Sequence, residues 1–89
     1  MIKITQADYL KGKTIQVHFS DESWGDYNLQ SLFDKQTTLT KTLEDETSFK
    51  QFYLEMGALC WRNGLELSPS NIHHKLEQQQ KLQYKDKVA

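Results

Sequence analysis

The chain has 89 residues, 37% of them hydrophobic and 26% charged, and its 11 Lys and Arg against 12 Asp and Glu leave a net charge of −1. A chain this short is one small domain with a thin core, because it buries only about 60% of the surface it exposes when unfolded, and association with another chain is a route to further burial. Near-neutrality argues against a dedicated nucleic-acid binder, which needs a marked basic excess or a basic face.

Ile2, Ile4, Ala7 and Tyr9 recur along the first stretch and predict a strand, closed by the turn glycine of Lys11-Gly12-Lys13. Thr14 to Phe19 alternates with period two: Ile15, Val17 and Phe19 on one face, Thr14, Gln16 and His18 on the other. Ser20-Asp21-Glu22-Ser23 is turn chemistry, and Trp24 to Tyr27 returns as a third strand, so residues 2–27 form an antiparallel meander. Asn28 caps a short helix through Leu29, Leu32 and Phe33. Asp34 to Thr42, with four threonines and little periodicity, reads as a mobile connection. A second short helix starts near Asp45 or Thr47 and turns Phe49 and Phe52 toward the sheet.

Tyr53 to Trp61 predicts a hairpin turning at Gly57, and Arg62-Asn63-Gly64 a second turn. Ser68-Pro69 is an N-cap followed by proline at the first helical position, opening a helix from Ser70 to about Lys81 with Ile72 and Leu76 inward. The stretch 77–89 has too few apolar positions to be held by packing and is expected to be a polar, partly frayed helical tail beyond a domain spanning 1–76. The fold class is therefore α+β: a small, mostly antiparallel sheet made of a three-stranded meander plus a hairpin, with short helices and a C-terminal helix.

No window approaches the roughly 18 apolar residues of a membrane helix, and one cysteine, Cys60, cannot make an internal disulfide, so a cytoplasmic location is expected. Cys60 is best read as a small buried thiol. The adjacent His73 and His74 diverge by about 100° on a helix, which does not suit a shared metal ion. Glu44-Asp45-Glu46 fits a helix N-terminus better than acid–base chemistry. No cofactor, metal or catalytic set is expected, and the role is expected to be non-enzymatic.

Trp61-Arg62-Asn63-Gly64 is the sharpest local feature. Trp61 anchors the edge of the core over an Asn-Gly turn; alternatively, Trp61, Arg62 and Asn63 line a recognition surface, since Trp and Arg are enriched in interface hot spots. Residues 1–67 hold seven basic and ten acidic side chains, net −3, whereas 68–89 hold four and two, net +2. The last helix is thus a weakly basic appendage, and Ile72, Leu76 and Leu82 leave a partial apolar stripe for a second copy or a small protein partner. A competing expectation is a small-molecule or nucleic-acid binder using the open sheet face around His18, Tyr27 and Trp61.

Gly57-Ala58-Leu59-Cys60-Trp61-Arg62-Asn63-Gly64-Leu65-Glu66-Leu67-Ser68-Pro69 resembles the signature of the domain of unknown function 2442 family, with Trp61, Asn63, Gly64 and Pro69 at that family's spacing. Val17 to Asp21 with Gly25, Leu29 and Leu32 is similar to its N-terminal half, so the likeness spans residues 2 to about 73. Arg62 stands where the family usually has proline, and Leu65-Glu66 where Ala-Asp is common. The resemblance implies a small bacterial α+β protein with no established activity. It also implies a place among proteins some of which look like antitoxin-side partners, and some of which carry a DNA-binding domain for which this chain has no room.

Overall fold

The computed structural model describes residues 1–84. Three strands open the chain, β1 (Ile4–Lys11), β2 (Thr14–Phe19) and β3 (Ser23–Asn28). They pair antiparallel, with Tyr9, Ile15 and Tyr27 in one row and Ala7, Val17 and Gly25 in the next. Ile15, Val17 and Phe19 are buried, as their period-two spacing predicts; each contributes about 1.5–3 kcal/mol relative to exposure. The apolar phase of β1 changes from even to odd between Ile4 and Ala7, and the ladder absorbs that change as a register irregularity between Ile4 and Gln6.

Three short helices follow: α1 (Gln30–Asp34), α2 (Thr38–Lys41) and α3 (Glu46–Phe49). Asn28 Oδ1 accepts from the Gln30 N–H at 2.8 Å, so it steadies the entry to α1 from one position before the cap residue, Leu29. The segment predicted to be a mobile connection instead contains α2. Its N-cap Thr37 accepts the Thr40 N–H at 3.2 Å, Thr40 Oγ1 returns a bond to the Thr37 carbonyl at 3.1 Å, and Thr40 is buried. Local threonine bonds supply here what apolar periodicity does not. Asp45 caps α3 through the Ser48 N–H. Phe49 becomes the hub of the core, with its ring centroid 6.0 Å from that of Tyr9, 5.4 Å from Phe33 and 5.7 Å from Trp61.

A second antiparallel sheet is built from β4 (Tyr53–Glu55), β5 (Ala58–Cys60) and β6 (Glu66–Leu67). It abuts the start of β1, where the Ile4 N–H donates to the Gly57 carbonyl at 2.9 Å. Helix α4 (Pro69–Gln78) is capped by Ser68 and has Ile72 and Leu76 fully buried.

The expected frayed helical tail is corrected for its described part. The chain reverses at Gln80, in left-handed backbone with φ 58°. The Lys81 N–H bonds the Leu76 carbonyl at 2.9 Å and the Gln80 N–H the Glu77 carbonyl at 3.1 Å, a Schellman cap with Gln where glycine is usual. Leu82 then packs on the core, and β7 (Gln83–Tyr84) pairs with β3 as the fourth strand, in the order β1-β2-β3-β7. Gly25 makes the return possible, since a Cβ there would stand 2.9 Å from the Lys81 carbonyl oxygen and 3.1 Å from Leu76 Cδ1. The rest of the predicted tail, 85–89, lies outside the described residues. No helix among the described residues is long and apolar enough to cross a membrane.

Candidate functional site

The residues singled out around Trp61 come together as a brace. Trp61 is buried, and its indole N–H donates to the Phe49 carbonyl at 2.8 Å. Asn63 Nδ2 donates to the Leu39 carbonyl at 2.9 Å and to Thr42 Oγ1 at 2.7 Å, while Asn63 Oδ1 accepts the Leu65 N–H at 3.0 Å. The turn is thereby tied to α2, and Asn63 has little bonding capacity left for a partner. Arg62 is exposed, with no ion pair among the described residues. Ile72 and Leu76 are 0% exposed, so the stripe proposed for a partner is spent inside the chain, with Leu82 half-buried beside it. That corrects the expected surface: of Trp61, Arg62, Asn63, Ile72 and Leu76, only Arg62 is openly presented.

A second grouping has no sequence signal, because it joins residues 52 positions apart. Asp21 Oδ1 accepts from the Ser23 N–H at 2.9 Å and from the Ser23 hydroxyl, and Oδ2 accepts from His73 Nε2 at 3.0 Å. Ser, Asp and His meet here, but the carboxylate lies between the other two. The imidazole therefore cannot take the serine proton as a nucleophilic triad requires, and Ser23 is buried. The arrangement clips α4 to the β2–β3 turn. Burial pushes the Asp21 carboxyl up, but the bonds from Ser23 and His73 outweigh it and hold the group below its ordinary value.

Cys60 is buried behind Glu55 and Glu66; burial first, and those two carboxylates second, push its thiol up, away from nucleophilic character. Among the described residues no group of three or more His, Cys, Asp or Glu converges as metal ligands would.

The tip of the β4–β5 hairpin is the most exposed apolar feature of the small sheet. Met56 and Gly57 both have positive φ, 53° and 84°, the pattern of a type I′ turn. Asn, Asp or Gly suits the first of these positions, yet Met stands there with 91% of its surface exposed, beside Tyr53 at 39%. Lys3 lies against Gly57, where a Cβ would come within 2.7 Å of its own. Glu55 ends β4 next to the tip, so both signs of charge flank the methionine.

The outer face of the four-stranded sheet is uncovered and polar. The register sets Gln6, His18, Trp24 and Gln83 in one row, Asp8, Gln16 and Asp26 in a second, and Lys11, Thr14 and Asn28 in a third. Trp24 and His18 stack at 6.0 Å and 20° between planes. Gln16 Nε2 donates to Asp26 Oδ1 at 3.1 Å, which leaves Gln16 Oε1 to accept from His18 Nε2 at 3.2 Å and so sets which ring nitrogen carries the proton. Tyr27 and Trp61, expected to share this face with His18, are buried on the other side of the sheet. Trp24 takes their place, and its opposite parity to Tyr27 within β3 is the signal that identifies it. A cleft of about 420 Å³ opens beside it, lined by Lys11, Thr14, Trp24, Asp26, Asn28, Gln80, Lys81 and Gln83.

No family model matches the chain, and comparison with curated proteins and with solved structures gives no match.

Proposed function

We propose that this protein is a non-enzymatic interaction module that self-associates through the tip of the β4–β5 hairpin. The observation that carries the reading is Met56, an apolar side chain 91% exposed at φ 53°. The position costs conformational energy for any residue but Gly, Asn or Asp, and exposing the side chain adds a hydration cost. Both costs are offset when a partner covers the tip. A two-fold contact needs a self-complementary patch. Met56 and Tyr53 supply its centre, and Lys3 against Gly57 on one side of the tip, with Glu55 preceding Met56 on the other, lets each copy pair opposite charges with the other.

The resemblance to the 2442 family, some of whose members look like antitoxin-side partners, supports extending the reading to a small-protein partner in a two-component pair. Light scattering across a concentration series tests the self-association. A mass rising toward that of a dimer in the tens of micromolar supports it, and a monomer mass throughout overturns it.

A further inference from the structure

We propose that the outer face of the four-stranded sheet is a binding site for a neutral, ring-shaped polyhydroxylated ligand, a mono- or disaccharide, seated on Trp24. This site is separate from the hairpin tip and does not depend on it. The cleft of about 420 Å³ falls toward the lower end of the ordinary small-ligand range of about 300–1,000 Å³. Trp24 offers an indole whose neighbour His18 is stacked and bonded through Gln16 to Asp26, so the platform is oriented before a ligand arrives.

The polar lining joins four uncharged side chains, the amides of Asn28, Gln80 and Gln83 and the hydroxyl of Thr14, each offering donor and acceptor groups, to Lys11, Lys81 and Asp26, whose charges sum to only +1. Vicinal hydroxyls, which donate and accept at once, match such a set; an isolated charge does not. Asp26 Oδ1 is held by Gln16, and Oδ2 has no bond among the described residues, so one carboxylate oxygen is available to accept from two adjacent hydroxyls. A polyanionic strand fits less well, because Asp8 and Asp26 across the middle row balance Lys11 and Lys81 and leave the face no basic surplus. Apolar faces of a sugar ring against an indole, with polar edges toward amides, satisfy both halves of this surface.

The test is a titration of the intact protein with methyl glucoside, methyl galactoside, methyl mannoside, maltose and cellobiose, each up to about 100 mM. It is followed by the indole and side-chain amide resonances in nitrogen–proton correlation spectra, with adenosine monophosphate as the anionic comparator. Saturable shifts for at least one sugar, centred on the Trp24 indole and the Asn28 and Gln83 amides, support the site. Trp24→Leu and the exposed Gln83→Ala, each checked for an otherwise unchanged spectrum, are expected to weaken that sugar by about tenfold or more and by a few-fold, respectively. Absence of saturable shifts on this face for every sugar overturns the proposal. So does binding that survives in both folded variants, or a nucleotide that outbinds every sugar.

Discussion

The two sheets of this protein solve the same problem in different ways. In the meander, strands of six to eight residues carry their own register: the ladder and a buried row of Ile15, Val17 and Phe19 suffice to hold it. In the second sheet, strands of two or three residues are too short for that, and side chains do the work. Trp61 reaches the Phe49 carbonyl, Asn63 reaches α2, and the backbone of Ile4 reaches Gly57. A sheet with its own ladder can leave one face free for polar groups; a sheet held by braces depends on individual residues.

That difference is most severely tested at Trp61. Trp61→Ala removes a buried ring and strands the Phe49 carbonyl, and is expected to cost about 3–5 kcal/mol, a large part of the stability of a small domain. Urea denaturation reads the loss directly.

Asn63→Ala comes next, at about 1–3 kcal/mol, because two acceptors, the Leu39 carbonyl and Thr42 Oγ1, and one donor, the Leu65 N–H, lose their partner. Its signature is regional. Cys60 lies in β5 and is buried, so its rate of alkylation reports opening of the small sheet, whereas amide exchange at Val17 reports the meander. The variant is expected to accelerate Cys60 labelling more than Val17 exchange. Equal acceleration would mean that the two sheets open as one unit.

What could be read from the residues follows the same divide. The meander was readable because alternation and turn residues are local signals, and even the phase change in β1 was printed in the spacing of Ile2, Ile4, Ala7 and Tyr9. The helix at 69–78 was readable from Ser68-Pro69. α2 was not, because its order comes from threonine hydroxyls and from Asn63, 21 residues beyond Thr42. Nor was β7, which depends on Gly25 leaving room for the returning chain. Ile72 and Leu76 read correctly as one face of a helix, but periodicity cannot say whether that face meets the chain's own core or another molecule.

Gln80→Gly tests the turn that carries the chain from α4 into β7. Glycine relieves the left-handed strain at φ 58°, and the variant is expected to gain about 0.5–1 kcal/mol in thermal unfolding, net of the entropy glycine adds to the unfolded chain. The smallest effect is confined to acid. Because the folded-state value of Asp21 is depressed, its contribution to stability is fully present above the ordinary aspartate range of about 3.9 and is lost as pH falls through the folded value. Asp45, depressed by the Ser48 bonds, acts in the same direction. Asp21→Asn is therefore expected to flatten the decline of melting temperature below about pH 4, and an unchanged decline would show that Asp21 does not contribute to it.

If Met56 holds its strained, exposed turn for the sake of contact, replacing it must abolish association while leaving the fold at least as stable. Met56→Asn separates folding from association in one variant, and sedimentation equilibrium with a melting curve on the same samples reads both. The expected result is a monomer more stable than wild type by about 0.5–1 kcal/mol when both are compared at dilution, with the dimer gone. A variant that dimerises as the wild type does would contradict it.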